Sequence, residues 1–264
     1  MKYKLRIMKL IFLLLCVTFG RAKSAKEYVV NGENAKIGER PFQISLQEGS
    51  SHFCGGSIIN KNYVLTASHC VSHLKDDAVS NIRIVAGTIL HKKPGSVHKI
   101  EKIIMHEGYN PSDSYRNDIA LIKVVEPFKF SVETRPVPLP KQHESTRPGS
   151  RATLSGWGYL HLNGGIPDIL QKVNIAVADQ NKCRKAIDSA ERGLTIHPTN
   201  ICAFNPRRRQ GQCSGDSGGP LTVDGKLVGV VSWSYKDSDC ASTIYPGVYT
   251  RVAEYVDWIN KNTQ

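Results

Sequence analysis

Ser217 stands in the run CSGDSGGP, residues 213 to 220, between Asp216 and the glycines Gly218 and Gly219. A serine hydroxyl holds its proton too tightly at neutral pH to attack a carbonyl, so it needs a base within hydrogen-bond reach. Histidine suits that task, because an unperturbed pKa of about 6.5 lets it take the proton and return it to a leaving amine. His69, at the end of LTASH, is the candidate base. Asp118, in NDIALIK, is the candidate carboxylate that fixes the ring's tautomer and stabilises the imidazolium. The attacked oxygen becomes an anion, which calls for backbone N–H groups that no side chain obstructs. Gly215 and Ser217 are placed to supply them, and Gly218 and Gly219 allow a tight backbone path behind the nucleophile. Alone, each residue has a plain reading as a surface histidine, a cap or a turn residue. Together they point to acyl transfer through a serine.

Short β-type runs separated by turn residues must carry these groups, the pattern of an antiparallel barrel or sandwich. They are residues 42–46, 63–67, 82–86, 100–105, 119–124, 151–155, 173–177, 227–233 and 247–251. Two stretches read as helical. One follows Asp179 as N-cap, and the other is the C-terminal segment, where Val252, Tyr255, Val256 and Ile259 recur at helical spacing. Four prolines between Arg135 and Gly149 cannot easily extend a ladder, so this stretch divides the body into two halves.

The chain has 264 residues, 40% of them hydrophobic, enough to bury a sizeable core. At the start, Lys2, Lys4, Arg6 and Lys9 precede an apolar run from Leu10 to Val17 that is too short to span a bilayer. Gly20 and Ala22 follow, so residues 1–22 read as a signal peptide and 23–28 as a propeptide, with a secreted product. The net charge is +12, but residues 1–28 hold seven basic groups against one acid, so the remainder carries +6. The densest basic cluster, Arg207 to Arg209, has no interleaved aromatic platform, which argues against nucleic acid as a partner. Six of the seven cysteines (Cys54, Cys70, Cys183, Cys202, Cys213, Cys240) lie beyond the leader. In an oxidising compartment they suggest three disulfides, with about 15 pairings open. The cysteines lie too far apart in sequence to show the paired spacing of a zinc site around His69, and no cofactor or metal is expected.

The three signatures, in this order and with VVNGENA, HFCGGSII, SGWG, VSW and PGVYTRV, resemble the chymotrypsin-like family of serine endopeptidases from Val29 to the C-terminus. The resemblance implies an all-β fold: two six-stranded antiparallel barrels, about 29–140 and 141–264, with a C-terminal helix and the active site in the cleft between them. It implies the triad His69, Asp118 and Ser217, an oxyanion hole at Gly215 and Ser217, and pairs Cys54–Cys70, Cys183–Cys202 and Cys213–Cys240. It also implies a zymogen in which cleavage frees the amino group of Val29 to pair with Asp216. The residue before Val29 is Tyr28, where trypsin-type activators need Arg or Lys, so a cut after Tyr28 is inferred. The specificity pocket would be built from Gly211, Gln212, Ser232, Trp233, Ser234 and Gly247. Gly211 stands where a carboxylate would select Arg or Lys, so a deep uncharged slot for large apolar or aromatic side chains is expected, with trypsin-like or elastase-like specificity as alternatives. A binding homologue without catalysis is the rival class, and no triad member is missing for it. Lys92 and Lys93 replace an acidic calcium loop. His52, His91, His106 and His161 read as solvated. The expected partners are polypeptide substrates and protein inhibitors, with a monomer that needs no membrane once mature.

Overall fold

The computed structural model describes residues 30–74, 78–93 and 95–264. The stretches read as signal peptide and propeptide, and Val29, lie outside the described residues. Among the described residues, thirteen strands and two α-helices make up the fold.

β2 (Gln43–Glu48), β3 (Ser51–Ile58), β4 (Tyr63–Thr66), β5 (Ile82–Ala86), β6 (Ser96–Met105) and β7 (Ala120–Val124) close into a barrel in the order β2-β3-β4-β7-β6-β5. β8 (Arg151–Gly156), β9 (Gln171–Val177), β10 (Asn200–Phe204), β11 (Pro220–Val223), β12 (Lys226–Trp233) and β13 (Gly247–Arg251) form the second. Their order is β9-β10-β13-β12-β11-β8, and pairing of β8 with β9 closes the ring; β1 (Glu33–Asn34) adds to β9 from outside. Closure removes free edges, so every backbone donor within a ring can find its ladder partner. β9 shows the two-residue period: Val173, Ile175 and Val177 are buried while Lys172, Asn174 and Ala176 are half-buried.

Ile44, Leu46, Ile58, Leu65, Ile84 and Leu121 fill the first barrel, each fully buried, which stabilises by about 1.5–3 kcal/mol per side chain. Ala152, Leu154, Val173, Ile201, Leu221 and Val231 fill the second. α1 (Gln180–Asp188) starts at the extended Asp179, whose carboxylate accepts from the N–H of Lys182. α2 (Val256–Asn262) is too short to persist alone; a 3₁₀ turn (Val252–Glu254) leads into it. The stripe of Val252, Tyr255 and Ile259 packs into the core of the first barrel, although this segment leaves the second.

At the seam Gly55 of β3 lies so close to Gly219 that a Cβ would sit 3.0 Å from its Cα. Gly55 also donates its N–H to the carbonyl of Ser217 at 2.7 Å. Ser155 Oγ donates to Gln43 Oε1 at 2.8 Å, so the two barrels also share a buried polar bond.

Candidate active site

His69 lies in a 3₁₀ turn (Ser68–Cys70) just past β4. Ser68 Oγ donates to the carbonyl of Ile119 at 2.6 Å, and a Cys54–Cys70 disulfide with an S–S distance of 2.03 Å pins the turn to β3. Asp118, which immediately precedes the strand region paired with β4, is fully buried. Its Oδ1 accepts the backbone N–H of His69 at 2.9 Å, and its Oδ2 faces His69 Nδ1 at 2.7 Å. An ionised carboxylate only accepts, so Nδ1 carries the proton and Nε2 keeps its lone pair. Ser232 Oγ donates to the same Oδ2 at 2.6 Å, and Thr250 Oγ1 holds the carbonyl of Asp118 at 2.7 Å. Three N–H or O–H groups therefore converge on one buried carboxylate and fix its orientation.

The loop before Asp118 carries left-handed backbone at Ser114 (φ 48°), Tyr115 (φ 56°) and Asn117 (φ 54°), which non-glycine residues rarely adopt. It is braced from the second barrel's side, where Thr195 N donates to Ser114 Oγ at 2.8 Å and His197 Nε2 donates to the carbonyl of Asp113 at 3.0 Å. The result sets the Tyr115 ring edge-on to His69, 5.8 Å between centroids.

Ser217 is half-buried in a tight turn whose carbonyl is tied to Gly55. Gly218 (φ 75°) is required: a Cβ there would lie 2.2 Å from Thr66 Oγ1 and 2.6 Å from the carbonyl of Gly55. No hydrogen bond joins Ser217 Oγ to His69 Nε2, which has the disulfide sulfur Cys70 Sγ 3.8 Å away, an atom with no proton to give. The structure thus brings His69 onto Asp118 and sets Ser217 in the turn across the seam, short of the hydroxyl–imidazole contact. Such contacts are commonly loose until substrate binds. Among the described residues the backbone N–H groups of Gly215 and Ser217 have no acceptor, which leaves both free to donate.

His52 and His91 are corrections to the sequence reading: both are buried, and His106 is half-buried between Tyr255 and Trp258, so of the four histidines taken as solvated only His161 is exposed. Burial lowers the pKa of His52 to about 4, so the ring is neutral. Its Nε2 donates to the carbonyl of Gly215 at 2.9 Å, and Ser45 Oγ donates to Nδ1 at 2.7 Å. His52 therefore anchors the loop that carries Gly215 and Asp216. Asp216, next in that loop, is fully buried and takes N–H bonds from Gly158 (2.8 Å) and Cys213 (2.9 Å). Desolvation pushes its pKa up to about 7, and no cation pairs with it among the described residues. Its expected partner, Val29, lies outside them.

The other two disulfides join Cys183 to Cys202 and Cys213 to Cys240, as the resemblance implies. Cys54, His69 and Cys70 form a close cluster of metal-ligand types, but both sulfurs are spent in a disulfide and have no thiolate to offer. No helix among the described residues is long and apolar enough to cross a membrane.

Gly211, Gln212, Ser234 and Gly247 line one small cavity with Ala241 and Tyr249, while Trp233 and Ser232 form the adjoining strand. The slot is not deep. Its free volume is about 10 Å³, because Gln212 lies across it, and the expectation of ready room for a large aromatic side chain does not hold in this geometry. Neither the Ser232 bond to Asp118 nor the His52 bond to Gly215 was visible in the motifs; both depend on partners over 100 residues away.

Two closed barrels, with a buried His–Asp pair at the seam and a glycine-flanked serine turn facing it, define the chymotrypsin-like serine protease class. A family model described as trypsin matches residues 29–259. The chain is 40% identical to Trypsin Blo t 3 of Blomia tropicalis over 239 residues, covering 89% of this chain and 86% of that protein. It is 38% identical to Chymotrypsin-2 of Vespa crabro over 234 residues, 89% and 99% of the two chains. Among solved structures, human heparin binding protein superposes with a TM-score of 0.77 at 27% identity, covering 89% and 98%. The chain belongs to the trypsin family of serine proteases.

Proposed function

We propose that the chain is a secreted serine endopeptidase, made as a zymogen, that cleaves polypeptides after an uncharged residue. Ser217 Oγ attacks the scissile carbonyl while its proton passes to His69 Nε2, and Asp118 holds the ring in the tautomer that can receive it. The developing oxyanion meets the free N–H groups of Gly215 and Ser217. His69 then protonates the leaving amine, and water hydrolyses the acyl-enzyme by the same route. The observation that carries this reading is the 2.7 Å bond from His69 Nδ1 to a fully buried Asp118, which leaves Nε2 a base.

Zymogen activation has its own support. A buried carboxylate that meets no cation among the described residues, with its pKa raised to about 7, is a poor resting place for charge unless an ammonium arrives. Freeing Val29 by a cut after Tyr28 would supply one. The uncharged Gly211 favours a neutral residue before the scissile bond over Arg or Lys.

A fluorophosphonate probe tests the chemistry on protein cleaved before Val29. Labelling of the wild type and none of Ser217→Ala is the expected result. An unlabelled wild type that is retained on immobilised heparin would overturn it in favour of the binding-only class, to which the likeness to human heparin binding protein lends its interest.

A further inference from the structure

Gln212 reaches from one wall of the specificity slot to the other. Its side chain is buried, its Nε2 donates to the carbonyl of Trp233 at 2.8 Å, and its Oε1 lies against Gly247. A Cβ on Gly247 would sit 2.9 Å from that oxygen, so the glycine makes room for the amide rather than opening the wall. Oε1 has no hydrogen-bond partner, and neither has the hydroxyl of Tyr249, which lines the same cavity and is fully buried.

We infer that Gln212 sets the primary specificity: the slot takes a short side chain and favours one whose tip donates a hydrogen bond. The inference rests on the peptidase reading above. A free volume of about 10 Å³ is the space of roughly one water, which a methyl or hydroxymethyl group can take. A phenyl ring fits only if the Gln212 bond to Trp233 breaks. A buried acceptor left unpaired is costly, so a substrate hydroxyl or amide N–H that reaches Oε1 removes a penalty that an apolar group of equal size leaves standing. The lining residues include no carboxylate, so Arg and Lys find no counter-charge.

The test is a series of peptide substrates differing only before the scissile bond (Ala, Ser, Thr, Val, Leu, Phe, Arg), run on activated wild type, Gln212→Ala and Gln212→Met. For the wild type, kcat/KM is expected to be about tenfold or more higher for Ala and Ser than for Phe, with Thr above its isostere Val. Gln212→Ala opens the slot, so Phe gains about tenfold or more and the Thr–Val gap closes. Gln212→Met keeps the length and loses the acceptor, so it retains the preference for short residues but not for donors. A wild type that cleaves after Phe faster than after Ala or Ser, or a Gln212→Ala variant with an unchanged order, would overturn the inference. Fluorophosphonate labelling of all three proteins keeps the two readings apart. Labelled proteins with the wrong order sink the role of Gln212 alone, whereas an unlabelled wild type sinks the peptidase itself.

Discussion

Asp118 and Asp216 are both fully buried, and they differ in the groups that face them. Asp118 accepts two N–H bonds from His69 and an O–H bond from Ser232. Asp216 accepts only two backbone N–H bonds, and desolvation lifts its pKa to about 7. Burial is the same for both; the donors differ. A carboxylate in low dielectric stays charged where enough hydrogen-bond donors or a cation face it, and otherwise drifts toward the neutral form. One aspartate is held by a histidine and a side-chain hydroxyl, and the other by backbone N–H groups alone among the described residues.

The sharpest way to break this contrast is Asp118→Asn. An amide can present its NH₂ to Nδ1 and so select the tautomer with the proton on Nε2, which cannot act as a base. A fall in kcat of about 10⁴-fold is expected, as in the serine proteases on which this triad was worked out. A loss below about tenfold in peptide hydrolysis, with probe labelling intact, would show that Asp118 does not orient His69.

Asp216→Asn should act through stability. In the uncleaved chain the folded pKa lies above the ordinary 3.8, so the folded state holds its proton more tightly and the wild type loses stability as pH rises from about 4 to 7. The contribution is on the order of 4 kcal/mol across that window, flat above it. Denaturant midpoints of uncleaved wild type and Asp216→Asn, compared from pH 4 to 8, should diverge by this trend. Parallel curves would mean that the aspartate is not destabilised. After activation the sign reverses, since the asparagine cannot pair with an ammonium, and the variant should hydrolyse peptides poorly.

Ser232→Ala trims one donor from Asp118. A hydrogen bond to a charged group is worth about 1.5–3 kcal/mol, so the variant should unfold at lower denaturant and hold His69 less firmly, with a kcat about tenfold below wild type. A wild-type kcat and denaturant midpoint would leave the hydroxyl a bystander. The smallest effect is expected for His52→Gln, which can keep a donor near the carbonyl of Gly215. Because the wild-type ring is held neutral down to about pH 4 in the folded state but takes a proton near 6.5 when unfolded, wild-type stability falls as pH drops across that window; the variant should lose roughly 1 kcal/mol near pH 8 and recover ground on the wild type toward pH 4. A stability difference that stays constant from pH 8 to 4 would contradict the lowered pKa.

Motifs carried the chemistry, and periodicity carried much of the frame. Residues 82–86 and 247–251 end where β5 and β13 end, and Asp179 caps α1 as read. β3 escaped notice because Gly55 and Gly56 look like a turn, and only the approach of Gly219, Ile44 and Val64 explains glycines inside a strand. β11 opens on Pro220, a residue that reads as a break. His52 looked solvated because its partners, Ser45 and Gly215, become neighbours only once both barrels have closed. The bar of Gln212 across the slot is a matter of side-chain direction, which neither composition nor spacing encodes.

The path of the last residues has one more consequence. Val252, Tyr255 and Ile259 follow the half that carries Ser217, yet they share one apolar cluster with the half that carries His69. The tail is thus a clasp: while it is seated, both halves are held to one frame, and a chain clipped before it would uncover apolar surface on the half it closes over.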